Sequence, residues 1–213
     1  MDRTRIKVCG ITTPEAAAAA VEAGADVLGF VFAPGTPRYI KPEAAFAIMA
    51  TLPPMVGTVG VFRDASLDDF IEIEQQCPTD WSQLHGHEPE RLVQDCGPRV
   101  IRGIRFAPET IEAELARWDA LEEVEAILVD GSDGGEGKAF AWEAMVEPMR
   151  TITTPIILAG GLHADNVGQA IRACRPFAVD VSSGVESEPG VKDAAKIRAF
   201  CEAVRKADAG RIA

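Results

Sequence analysis

A thiol and a carboxylate lie far apart in this chain but in matching local settings. Cys9 closes the run "IKVC" and is followed by Gly10 and the helix start "TTPE"; Asp130 closes "AILVD" and is followed by Gly131. Each polar group stands where an apolar, strand-like segment ends, the place from which α/β folds present their chemistry. A thiol there, with its pKa lowered by nearby positive charge, is expected to act as a general base. A carboxylate across the ligand would act as the acid, and proton transfer on a sugar phosphate needs no more than that pair. Taken singly, each has a plainer reading: a strand cysteine is a small buried hydrophobe, and an aspartate before "GSDGG" is a turn residue.

Two further segments suit an anion. "LAGGLHADN" carries Gly160 and Gly161, and "DVSSGVE" carries Ser182, Ser183 and Gly184. Glycine lets the backbone approach a ligand, and amide N–H groups, with hydroxyls and a helix N-terminus beside them, take phosphate oxygens. Either segment alone reads as a tight turn; two of them after consecutive late strands fit a phosphate site. Arg38, in "APGTPRYIKP", lies on a turn-rich loop where a guanidinium can grip a carboxylate with two parallel hydrogen bonds. An aspartic acid must hold its proton to act as the acid, whereas free aspartate has a pKa near 3.9. Burial or a neighbouring carboxylate raises that value, and Asp133 and Glu136 follow Asp130 closely. His85 and His87 in "QLHGH" admit a zinc site in principle. With three histidines in all, and this pair running into a loop, the expectation is no metal and no cofactor.

These groups need a frame that brings them together. Strand-like runs "IKVC", "VLGFVF", "VGTVGVF", "WSQLH", "VIRGIR", "AILVD", "PIILAG" and "FAVDVSS" alternate with helical stretches from end to end. The runs are short and nearly continuous in apolar character, as when both faces of a sheet are covered. Thr13, Lys41, Ser66 and Asp165 are placed to start helices. Eight strand–helix units of roughly 25 residues predict a single-domain (β/α)8 TIM barrel spanning residues 1–213. A doubly wound open sheet shares the alternation but would carry G-x-G-x-x-G after its first strand, and "CGITTPEAA" does not.

Composition narrows the partners. A net charge of −12 without a basic stripe opposes nucleic acid, so an anionic ligand must be held by a local pocket. No apolar run is long enough to span a membrane, and the expected setting is cytoplasmic. Five scattered cysteines without a C-x-x-C spacing are read as thiols. The expected partner is a small phosphorylated molecule, and the chain is expected to be a monomer or homodimer.

The segments "KVCGIT", "GADVLGFVF" with "PRYI", "VGVF", "QLHG", "LVDG", "GGEGKAFAW", "LAGGL" and "RPFAVDVSSGVE" together resemble the phosphoribosylanthranilate isomerase family over essentially the whole chain. The resemblance implies an Amadori rearrangement of an aminoaldose phosphate to an aminoketose phosphate in tryptophan biosynthesis. It implies Asp130 as the general acid at the ring oxygen and Cys9 as the general base at C2′. It further implies Arg38 against the anthranilate end, His85 lining the pocket, and Asp180 near the ribose hydroxyls. Gly160, Gly161, Ser182, Ser183 and Gly184 would bind the phosphate. Glu136 stands where the family usually has a small hydroxyl residue, and Ala141 where an aspartate is usual. Three other readings compete: a silent barrel that only binds a phosphorylated ligand, a metal-dependent hydrolase using His85 and His87, and a histidine-pathway aminoaldose isomerase. The retained Cys9 and Asp130 oppose the first, the scarcity of histidine opposes the second, and the third is expected to use two aspartates where this chain has Cys9.

Overall fold

The computed structural model describes residues 3–131 and 142–210. Eight parallel strands close into a barrel in chain order: β1 (Arg5–Cys9), β2 (Val27–Val31), β3 (Gly57–Phe62), β4 (Trp81–Leu84), β5 (Val100–Arg105), β6 (Val124–Asp130), β7 (Ile156–Leu158) and β8 (Ala178–Val181). The last strand returns to the first with Lys7 beside Asp180 and Val8 beside Val181. The helices are α1 (Pro14–Ala23), α2 (Pro42–Met49), α3 (Leu67–Gln76), α4 (Glu90–Asp95), α5 (Ile111–Asp119), α6 (Val167–Cys174) and α7 (Ala194–Ala209). Before β7, the described residues hold two 3-10 turns, Trp142–Met145 and Pro148–Thr151, in place of an α-helix. A hairpin, β9 (Glu186–Glu188) and β10 (Val191–Lys192), is inserted between β8 and α7.

Local chemistry explains the element ends. Thr13 accepts a hydrogen bond from the Ala16 amide, Pro14 begins α1, and Gly24 closes it at φ 88°. Ser66 caps α3 through Asp69, and Asp193 caps α7 through Ala195 and Lys196. Lys41 precedes α2 without a side-chain cap, leaving Pro42 to set the start. Asp165 does not start α6; Asn166 holds that position. The Asn166 amide group is turned back into its own loop, where Nδ2 donates to the Gly161 carbonyl and Oδ1 accepts from the His163 amide. A carboxylate at residue 166 could not make the first of these bonds.

The period of two along each strand separates two cores. Ile6, Val8, Leu28, Phe30, Ile127 and Val129 pack outward against the helices. Cys9, Val31, Val59, Val61, Ile101, Leu128 and Ile157 form the inner cluster. Among the described residues, no helix is long and apolar enough to cross a membrane.

Candidate active site

The inward-facing side chains at the C-terminal ends of the strands line a cavity of about 800 Å³, its open mouth included. That volume suits a small-molecule ligand. Cys9 lines it from β1, Asp130 from β6, Asp180 from β8, and His85 from the residue after β4. Gly160, Gly161, Ser182 and Ser183 line it from the loops after β7 and β8, and Arg38 lines it from the loop after β2. Gly184 is not among the lining residues. It lies beneath them, where a Cβ would fall 1.9 Å from the Leu162 carbonyl oxygen. Its absent side chain lets the loop after β8 rest on the loop after β7.

Missing Cβ atoms on neighbouring strands and in the loop after β7 make space for the reactive groups. Cys9 stands opposite Gly29 in the β1–β2 register, and a Cβ at Gly29 would lie 2.8 Å from Cys9 Sγ. A Cβ at Gly103 would lie 2.6 Å from His85 Nδ1, and one at Gly160 would lie 2.8 Å from Asp130 Oδ1. Gly10, at φ 82°, takes the left-handed turn out of β1 while the Arg38 stem packs over it.

Much of the charge in the site is paired. Lys7 Nζ donates to Asp180 Oδ1 at 2.8 Å, with both side chains buried. Arg38 grips a carboxylate through Nε and Nη2, as its fork predicts, but the carboxylate belongs to Glu186 of the hairpin, with both bonds at 2.8 Å. Lys192, on the other arm of the hairpin, donates to Glu186 Oε1 at 2.7 Å and to the Ser182 carbonyl at 3.1 Å. Burial opposes ionisation of Glu186, yet its bonds to Arg38 and Lys192 prevail and hold its carboxyl below the usual range. Ser182 Oγ donates to the Cys9 carbonyl, tying the loop after β8 to the end of β1.

The Gln83 amide group and His85 Nδ1 are 2.7 Å apart, and His85 Nε2 lies 3.9 Å from Asp130 Oδ2. Burial pushes the imidazole below its ordinary value despite the attraction of Asp130. Burial pushes the Cys9 thiol up, against the opposing pull of Lys7 and Lys192. His87 does not share the setting of His85. It is exposed beside Asp64, because the chain turns at Gly86 after the inward alternation of Gln83 and His85 ends. Asp133, Glu136 and Ala141 lie outside the described residues.

Lys7, Gln83, Glu186, Lys192, Gly29 and Gly103 were not singled out from the sequence. A signal existed for two of them: Lys7 and Gln83 each precede an inward site residue by two positions, the period of a strand.

A closed parallel barrel with its cavity at the C-terminal mouth places the chain among the (β/α)8-barrel enzymes. The family model for N-(5'-phosphoribosyl)anthranilate isomerase matches residues 6–203. The N-(5'-phosphoribosyl)anthranilate isomerase of Pseudomonas putida is 47% identical over 212 residues, covering 97% of this chain and 100% of the relative. That of Moorella thermoacetica is 47% identical over 208 residues, covering 96% and 91%. The solved isomerase of Thermotoga maritima superposes with a TM-score of 0.85 at 38% identity, covering 95% of this chain and 99% of that one. Another isomerase structure, at TM-score 0.83, 38% identity and the same coverage, holds reduced 1-(o-carboxyphenylamino)-1-deoxyribulose 5-phosphate. This chain belongs to the N-(5'-phosphoribosyl)anthranilate isomerase family.

Proposed function

We propose that the protein converts N-(5'-phosphoribosyl)anthranilate to 1-(o-carboxyphenylamino)-1-deoxyribulose 5-phosphate in tryptophan biosynthesis, with Asp130 as acid and Cys9 as base. The observation that carries the reading is that both groups line one cavity, from separate strands, with the glycine loops after β7 and β8 on the same rim. Protonation of the ring oxygen by Asp130 accompanies cleavage of the C1′–O bond and leaves a C1′=N iminium. The Cys9 thiolate then removes the C2′ proton, and the electrons of that C–H bond form the C1′=C2′ enol as the iminium π electrons return to nitrogen. The enol becomes the ketone by losing its hydroxyl proton and gaining one at C1′. Every step is a proton transfer, and the atoms balance without a redox partner.

The phosphate is assigned to Gly160, Gly161, Ser182 and Ser183, supported by the left-handed turn at Gly160 and Gly161, φ 83° and 64°, which Asn166 braces. Gly184 contributes by letting the two loops meet. Arg38 spends Nε and Nη2 on Glu186, so its guanidinium face and Nη1 are assigned to the aromatic end of the substrate. Asp180 is assigned to the ribose hydroxyls, and His85 to the wall beside Asp130. The setting is taken as cytoplasmic, consistent with five free thiols. The test is turnover of freshly generated N-(5'-phosphoribosyl)anthranilate, followed by loss of its fluorescence, with inorganic phosphate as competitor. Turnover that phosphate inhibits competitively is expected. Absence of turnover would overturn the reading.

A further inference from the structure

A buried thiol is a poor base until something favours its thiolate. Cys9 is 7% exposed, and burial alone favours the neutral thiol. The charged and titratable groups around it are Lys7 on its own strand, Arg38 after β2, Arg63 after β3, and His85 after β4. Asp130 of β6, Asp180 of β8, and Glu186 and Lys192 of the hairpin complete the set. Arg38 and Lys192 are both engaged by Glu186, Arg63 follows a strand two places away in the barrel, and burial opposes the charged form of His85. Lys7 is different. It lies two residues before Cys9 on the same inward face, is 2% exposed, and is bound to an aspartate that itself lines the cavity.

We infer that Lys7, held by Asp180 and two residues before Cys9 on the same inward face of β1, is a positioning residue whose charge sets how readily the Cys9 thiolate forms. This inference rests on the reading of Cys9 as the base, and its test is independent of that reading. Lys7 and Asp180 are partners in the β1–β8 register, so the ammonium is held at the seam of the barrel and cannot swing to solvent. Burial opposes its charge, but Asp180 and Cys9 outweigh that and hold Lys7 protonated above its ordinary range. Beside Cys9 the pair exerts two opposing pulls. Lys7 favours the thiolate, and Asp180 disfavours it by like charge and by competing for the ammonium. Substrate hydroxyls that hydrogen-bond to Asp180 would weaken that competition and release more of the Lys7 charge toward the thiol when the base is needed.

The two members therefore predict opposite effects, which a merely structural ion pair does not. Iodoacetamide modification of Cys9 in the full-length protein, followed peptide by peptide between pH 5 and 10, reads the thiolate directly. Asp180→Asn is expected to lower the midpoint. Lys7→Met combined with Asp180→Asn, which removes the cation without stranding a buried carboxylate, is expected to raise it by about one pH unit. That is about tenfold slower modification at neutral pH. The acidic limb of the pH profile of kcat/KM should move with the midpoint in each variant. Should the double variant fail to fold, as judged by circular dichroism, the single Asp180→Asn variant still decides by the direction of its shift. Midpoints unchanged, or moved the same way in both variants, would overturn the inference. Loss of turnover in Cys9→Ser bears on the base assignment alone.

Discussion

Reactive side chains in this barrel are accommodated as much by what their neighbours lack as by what they carry. Gly29 leaves space for Cys9, Gly103 for His85 and Gly160 for Asp130, and of the three only Gly160 is also assigned a contact with the substrate. Gly103 offers a clean trial because its φ lies outside the left-handed region, so alanine there meets a steric demand alone. The nearest atoms belong to an imidazole ring at 2.6 and 2.8 Å, a rigid group that has to move as a whole. Gly103→Ala is expected to cost about 1–3 kcal/mol of stability, measured by urea denaturation, and to reduce turnover by displacing His85 from Asp130. Gly168→Ala, whose Cβ in α6 meets the flexible end of Arg172, is expected to leave both unchanged or to stabilise slightly. Cys9 and Asp130 were legible because each ends an apolar run with a group that such a run does not need. Gly29 and Gly103 were not, since "VLGFV" and "VIRGIR" read as strands with or without them, and the space they leave depends on which strand lies alongside.

Strands were the most legible elements, since continuous apolar runs bounded by helix starts admit little else. Each of the eight expected runs overlaps one strand of the barrel. The described residues of the connection before β7 depart from the repeat, with 3-10 turns where an α-helix was expected. The hairpin β9–β10 escaped notice because "ESEPGVK" is polar and short, yet it carries Glu186 between Arg38 and Lys192. The Lys192 side chain is fully covered, so Glu186→Gln would strand a buried cation. The expected loss is about 3 kcal/mol at pH 7, measured by urea denaturation, together with weaker binding of the anthranilate end as Arg38 is released. Because the folded value of Glu186 lies below its ordinary 4.5, its contribution is complete above that value and is lost as pH falls through the lower folded one. The stability gap between wild type and Glu186→Gln should therefore close in acid. A gap that stays constant down to pH 2 would contradict the role given to this carboxylate.

Across the whole molecule, a net charge of −12 coexists with a site in which three cations are held by carboxylates, Lys7 by Asp180, and Arg38 and Lys192 by Glu186, while Arg63 also lines the cavity. An anionic ligand is drawn to the mouth by oriented amides and partly neutralised cations, and long-range attraction has little part in its capture. This arrangement was only partly legible, because Arg38 and Glu186 are far apart in the chain, as are Lys7 and Asp180, which meet through closure of β8 onto β1. The same closure brings residue 9 and residue 130 to a single cavity, and the proposed function stands on that convergence. Its most direct test is the steady-state kinetics of Cys9→Ser and Asp130→Asn on N-(5'-phosphoribosyl)anthranilate. Each substitution is expected to lower kcat by about two to four orders of magnitude, with KM held within a few-fold and the fold intact. A kcat close to wild type in either variant would contradict the division of acid and base between these two strands.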